Sequence, residues 1–195
     1  MGLSERIRQI LDHQAILEQM ARYIQAVDRC DLALLKSTFH SDGKVRFGIF
    51  DGNAHAFCDF DIPFIQEHLV MGWHRFTNAS IEFQSDTRAV AESYMLGNAA
   101  ARLPDGTLIN CPDNMRYLDI WDKRDGTWRM ASRDLVLDWN ASCRYTGRDD
   151  GVFAQCPQGR RDRDDLAYHF QLLSLGQLPI TPATFLSRSE EEKPS

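Results

Sequence analysis

A carboxylate on the apolar stripe of a helix and a histidine at the start of a strand are the residues here that best fit acid–base chemistry. Ile16, Met20, Tyr23, Ile24 and Val27 recur at the spacing of one buried helical face. Asp28 follows one turn after Ile24, on or beside that face. Buried without a partner, its carboxylate would cost several kcal/mol or take up a proton. The candidate partner is His74, in the run Gly72-Trp-His-Arg-Phe-Thr-Asn78. An imidazole whose Nδ1–H is held by a carboxylate is an oriented base poised near neutral pH. The expectation is an Asp28–His74 pair at the bottom of an apolar pocket.

Further groups gather around that pair. Two-residue alternation puts His74, Phe76 and Asn78 on one strand face. Tyr23 is offset from Asp28 by about 140° around the helix, so it flanks the same pocket. Its phenol is either a hydrogen-bond donor to substrate or a core aromatic. Arg133 shares a strand face with Arg129, Ala131, Leu135, Leu137 and Trp139. It is either an oxyanion stabiliser or the partner of a carboxylate such as Asp31 or Asp119. Trp73, Phe76, Tyr94, Tyr117 and Trp139 are available as pocket walls or as packing. Cys30 is a pocket-lining or filling residue. The six histidines form no HxH or HxxxH pair, so no metal site is expected. No nucleophile elbow and no Gly-rich phosphate loop occur. Cofactor-free acid–base chemistry remains.

The elements that must position these groups can be read in order. Ser4 is the expected cap of a helix running to about Arg29, with a break near Asp12-His13. A short helix from Asp31 to Phe39, a turn at His40–Gly43 and a strand at Lys44–Gly48 follow. Ile49–Cys58 reads as loop or irregular edge. Asp59–Met71 reads as a third helix, with Asp61 as its cap and Pro63 in its first turn. Then Trp73–Ser85, Arg88–Arg102, Leu108–Lys123 and Thr127–Trp139 read as long strands, two of the joins carrying Asp-Gly turns. Such strands twist and coil, and one face must cover the helices. The class is α+β, with a strongly curved, mainly antiparallel sheet enclosing a conical cavity. Residues 1–139 form this domain. Residues 140–195 form an extension in which Asp162–Leu175 reads as a short helix. Within it, Tyr168–Leu175 is expected to pack over the barrel mouth or onto a neighbouring subunit, and the end is expected to be disordered.

The 195 residues suffice for one domain with a real core, and 43% are hydrophobic against 26% charged. A net charge of -6, with the Arg160–Arg163 cluster interrupted by Asp162 and flanked by Asp164 and Asp165, argues against nucleic acid as the main partner. No stretch is apolar enough to span a membrane or to act as a secretory leader. Five scattered cysteines without CxxC read as reduced thiols, and the expected location is cytoplasmic.

With Tyr23-Ile-Gln-Ala-Val-Asp28-Arg-Cys-Asp31, the Phe39-His-Ser-Asp42 segment, His74-Arg-Phe-Thr-Asn78 and the Trp121–Trp128 hairpin, the chain resembles the SnoaL-like branch of the nuclear transport factor 2-like superfamily. The resemblance runs from about Ile10 to Trp139. Members include scytalone dehydratase, lindane dehydrochlorinase and bile-acid dehydratase. It implies a cone-shaped, cystatin-like α+β barrel wrapped around N-terminal helices, and an Asp–His dyad at Asp28 and His74 acting in β-elimination without cofactor. It further implies that Tyr23 is the active-site tyrosine of the bile-acid enzyme and that Arg133 is an active-site arginine. Tyr23 also stands where the dehydrochlorinase has lysine, which argues against halide elimination. The expected function is a cofactor-independent lyase on an apolar, aromatic or polycyclic substrate, by dehydration, another β-elimination or retro-aldol release of formaldehyde. A ketosteroid-isomerase-like isomerase and a non-catalytic small subunit of a ring-hydroxylating dioxygenase are the alternatives. Relatives form dimers or trimers, so a homo-oligomer is expected.

Overall fold

The computed structural model describes residues 2–147, 151 and 153–169. The chain divides into two compact units, Met1–Tyr145 and Thr146–Ser195. In the first, a helix α1 (Leu3–Asp28) and a short α2 (Leu32–Ser37) precede β1 (Phe39–Phe47) and β2 (Phe50–Asn53). A third helix, α3 (Ala54–His68), leads into β3 (Leu69–Ser85), β4 (Arg88–Arg102), β5 (Leu108–Arg124), β6 (Thr127–Asn140) and β7 (Cys143–Arg144).

α1 runs unbroken through Asp12-His13, and Gly2 rather than Ser4 stands at its N-cap. The expected break is absent because Asp12 is tied down. Its carboxylate accepts Lys123 Nζ at 2.7 Å and Trp128 Nε1 at 2.8 Å. The helix ends in a Schellman arrangement. The Asp31 N–H reaches the Ala26 carbonyl at 2.8 Å, and Cys30 adopts φ 51°. That turn releases Asp31 to cap α2 through the Leu34 N–H at 3.1 Å. It also fixes Asp28 in the last helical turn.

α3 begins before the expected Asp59. Asn53 Oδ1 accepts the His55 and Ala56 N–H groups at 2.9 and 3.1 Å, so Asn53 is the cap. Asp61 and Pro63 therefore lie in the body of the helix. The expected turn at His40–Gly43 belongs to β1. The Asn53 amide holds the Ser41 carbonyl at 2.7 Å, His40 Nε2 meets the Asp122 carbonyl at 2.9 Å, and a register shift between Phe39 and Lys44 absorbs the irregularity.

The strands form one sheet in the order β2-β1-β6-β5-β4-β3, with β7 added beside β5. All pairings are antiparallel except β1 with β6. The fold is α+β, as expected, but the curved sheet stays open, with β2 and β3 at the ends of the order, and does not close into a barrel. The core lies between its inner face and the helices. It contains Ile16, Met20, Tyr23 and Val27 of α1, Phe57, Cys58 and Ile62 of α3, and Met95, Tyr117, Trp121, Trp128 and Met130 of the sheet.

In the second unit, the short turns of 3-10 helix span Phe153–Gln155 and Leu166–His169. The second occupies part of the expected Asp162–Leu175 helix. Its first residues, 162–165, form bends and turns instead of helix, and residues 170–175 and the expected disordered end lie outside the described residues. No described helix is long and apolar enough to cross a membrane.

Candidate active site

Asp28, at the end of α1, meets His74, in the first half of β3. His74 Nδ1 lies 2.6 Å from Asp28 Oδ1, and the His74 backbone N–H donates to Asp28 Oδ2 at 3.2 Å. A carboxylate only accepts, so the ring proton sits on Nδ1 and Nε2 is left as the basic nitrogen. One carboxylate thus grips both the ring and the backbone of the same residue. The side chains are 18% and 22% exposed, which leaves the pair reachable while removing most of its water.

The sheet register decides what else faces this pair. His74 lies directly opposite Gly97, and Gly97 opposite Asp113. The same face continues through Phe76, Met95 and Met115, and through Ser93, Tyr117 and Leu135. The expected sharing of a face by His74, Phe76 and Asn78 does not hold. β3 carries an extra residue at Thr77, since Phe76 pairs with Met95 but Asn78 with Tyr94. A one-residue bulge reverses the faces beyond it. Ala79, Ile81 and Phe83 therefore turn inward, and Asn78 joins the exposed Tyr94 on the outer face.

Trp73 also faces outward, opposite Asn98 and under the Arg75 guanidinium at 4.5 Å. β6 has bulges as well. Ala131 is extra between the partners of Ile120 and Trp121, and Asp138 between those of Asn114 and Met115. The shared face expected for Arg129, Ala131, Arg133, Leu135, Leu137 and Trp139 is broken at both places. Trp139 pairs with Asn114 on the outer side and is 51% exposed. Of the proposed walls, Phe76 and Tyr117 lie on the His74 side of the sheet. Trp73, Asn78, Tyr94 and Trp139 do not.

Tyr23 and Arg133 are brought together in the core. The Arg133 guanidinium lies 4.1 Å from the Tyr23 ring centroid and 4.0 Å from that of Tyr117. Asp119 holds it through two bonds of 2.8 and 2.7 Å. Of the two partners expected, Asp119 is the one found. Arg133 is 1% exposed and its Nη1 has no hydrogen-bond partner. Burial alone would lower its pKa, but the Asp119 charge holds it raised. Burial drives the Tyr23 phenol above its ordinary range, against the pull of Arg133. Tyr117 is raised in the same way.

Two carboxyl groups near His74 were not among the expected site residues. Asp61, on α3, lies on the face that carries Phe57, Cys58, Ile62 and Ile65. Burial pushes its pKa up to about 6, against the opposing field of His74. Its position four residues after Phe57 was the available signal. Asp113, over Gly97, is also raised by burial and also feels His74, and its Oδ1 has no hydrogen-bond partner. Among the described residues no group of three His, Cys, Asp or Glu side chains could hold a metal ion, and the five cysteines form no disulfide with one another.

Residues 8–134 match the SnoaL-like domain family. No protein of curated function matches the chain. Among solved structures, one from Novosphingobium aromaticivorans, described as a candidate scytalone dehydratase, aligns at 21% identity with a TM-score of 0.63, covering 73% of this chain and 93% of that one. The hexachlorocyclohexane dehydrochlorinase LinA-type3 of Novosphingobium barchaimii aligns at 16% identity, TM-score 0.62, covering 71% and 94%. A Nostoc punctiforme protein of unknown function with a cystatin-like fold aligns at 21% identity, TM-score 0.54, covering 66% and 92%. At these identities the likeness is one of fold.

Proposed function

The chain belongs to the SnoaL-like domain family, and from that premise we propose that it is a cofactor-independent lyase acting on an apolar, aromatic or polycyclic substrate. The observation that carries the reading is the 2.6 Å contact between His74 Nδ1 and Asp28 Oδ1. It leaves Nε2 as a base of fixed orientation beside Phe76 on the inner face of the sheet. His74 Nε2 removes a proton from carbon next to an activating carbonyl, and Asp28 stabilises the imidazolium that forms. The electrons form the new double bond, and the β-hydroxyl takes the proton back from the imidazolium and leaves as water. Loss of water is preferred to loss of halide because Tyr23 stands at the position that is lysine in the dehydrochlorinase. Dehydrochlorination and scytalone dehydration are named for structural neighbours, which makes β-elimination the nearest reaction class. A non-catalytic small subunit would need the sheet but no histidine held at both ring and backbone by one carboxylate, so that double contact weighs against the alternative.

The test is a panel of aryl and polycyclic β-hydroxy ketones, followed by enone absorbance. The wild-type protein should turn over at least one member. His74→Ala should lose about 10²–10⁴-fold in kcat while keeping its fold. An equally active His74→Ala protein would refute the assignment.

A further inference from the structure

His74, Gly97 and Asp113 stand in one row across β3, β4 and β5, each opposite the next. Neighbouring strands lie about 4.8 Å apart, so the backbones of His74 and Asp113 are about 10 Å from each other. Gly97 leaves the strand between them bare. The Asp113 carboxylate lies over that bare stretch, with Oδ1 in the space a Gly97 Cβ would fill and Cγ 2.9 Å from it. It has leaned off β5 toward the imidazole side of the row. Asp113 Oδ1 is buried and has no hydrogen-bond partner among the described residues. Its neighbours in the row supply none: His74 gives its Nδ1–H to Asp28, and Asn140 on β6 is exposed. A buried acceptor without a donor costs stability, so a native one calls for a missing partner. The rows on either side differ in size. Gly72, Ala99 and Cys111 form one, and Phe76, Met95 and Met115 the other. The first three are small and half-buried, which leaves room for a substrate, while the larger three supply an apolar wall.

We propose that Asp113 is the specificity-determining residue of the site, its Oδ1 accepting a hydrogen bond from the O–H of the hydroxyl that leaves. The inference rests on the lyase reading and adds a physical reason for water as the leaving group. The C–H bond breaks to His74 Nε2, the C–C double bond forms, and the C–O bond breaks as the oxygen takes the proton back from Nε2. Water leaves. Asp113 keeps its own protonation state throughout. By holding the hydroxyl hydrogen it turns an oxygen lone pair toward the imidazolium. A halide or an ether brings no hydrogen to Oδ1 and leaves that oxygen buried and unbonded, so both are disfavoured.

The test separates the O–H from the rest of the leaving group. β-Hydroxypropiophenone and β-methoxypropiophenone both need a proton on the departing oxygen, but only the first has a hydrogen to donate. Both give phenyl vinyl ketone, read by its absorbance. Asp113→Ala, checked for its fold by circular dichroism, should lose about 10–10²-fold in kcat/KM on the hydroxy ketone, the worth of one strong hydrogen bond, and less than about 3-fold on the methoxy ketone. Asp113→Asn keeps an acceptor oxygen and should retain most of the hydroxy-ketone activity; a loss equal to that of Asp113→Ala refutes acceptance at Oδ1. Gly97→Ala displaces the carboxylate without removing it and should repeat the selective loss, and it decides the matter if Asp113→Ala does not fold. His74→Ala should lose on both ketones. Equal losses on the two ketones in the Asp113→Ala and Gly97→Ala proteins, or none, overturn the Asp113 role and leave the lyase reading standing. A wild-type protein inert toward both ketones overturns the lyase reading, and the Asp113 role with it.

Discussion

The Asp113 carboxylate occupies the space that any side chain at position 97 would need. A Cβ built on Gly97 would overlap Asp113 Oδ1 and come within 2.9 Å of Asp113 Cγ. Both residues lie in the cross-strand row that begins at His74. The bare backbone of Gly97 thus lets a carboxylate from β5 lean toward the imidazole on β3, one strand beyond its neighbour.

Replacing Gly97 by Ala should expel that carboxylate. The expected cost is about 1–3 kcal/mol, the usual range for overpacking a filled site. It should disappear when Asp113 is also Ala, because the clash is with that side chain alone. A double-mutant cycle read by urea denaturation measures the coupling. Costs that simply add would show that Gly97 is needed for some other reason.

Asp61 makes stability depend on pH in a predictable sense. Its folded-state pKa, about 6, lies above the ordinary aspartate value. Below about pH 4 both folded and unfolded states are protonated. Between about pH 4 and 6 the unfolded chain releases a proton that the folded one keeps, so the stability contributed by the protonated carboxyl is lost as pH rises. Two pH units at about 1.4 kcal/mol each give a loss of about 3 kcal/mol, complete above pH 6. Asp61→Asn should therefore gain relative to wild type between pH 4 and 6 and hold that gain at pH 7.5. Unfolding at pH 4.5 and 7.5 reads it, and the titrations of His74 and the other shared groups largely cancel in the difference. A pH-independent difference would contradict the assignment.

What could be read from the sequence, and what could not, follows from the range of each signal. The Asp28–His74 contact was legible from a carboxylate on an apolar helical stripe and a histidine in a strand pattern, although β3 begins at Leu69 and His74 does not open it. The four long strands were legible from composition and two Asp-Gly turns. The faces of β3 and β6 were not, because extra residues at Thr77, Ala131 and Asp138 reverse alternation without changing strand composition. Asp61 was misread as a cap because capping is a local signal, and Asn53 upstream satisfied it first. The pairing of Gly97 with Asp113 depends on register across the Leu103–Thr107 connection, which only the assembled hairpin defines.

The Arg133–Asp119 pair should behave as a buried charge pair rather than as a surface bridge. Their side chains are 1% and 0% exposed. Asp119→Asn leaves the guanidinium between two aromatic rings without its counter-charge, and a loss of about 3–5 kcal/mol is expected. Replacing both residues by apolar ones of similar volume should recover most of that loss. Guanidinium chloride denaturation of the single and double variants decides the matter. An Asp119→Asn protein as stable as wild type would mean that the arginine finds another partner.

Asp12 should carry more of the stability of α1 than its place near the N-terminus suggests. Its carboxylate joins α1 to β5 through Lys123 and to β6 through Trp128, while Asp28 fastens the other end to β3. The two bonds are unequal. Lys123 is 25% exposed and regains water when released, whereas Trp128 is 2% exposed and would strand its indole N–H. Asp12→Ala should cost about 1–3 kcal/mol for the stranded indole alone, and Lys123→Met less than about 1 kcal/mol. Asp12→Asn, which keeps one acceptor oxygen, should fall between them. Tryptophan fluorescence through a urea transition gives all three values, and equal costs for Asp12→Ala and Lys123→Met would shift the anchor from the indole to the lysine.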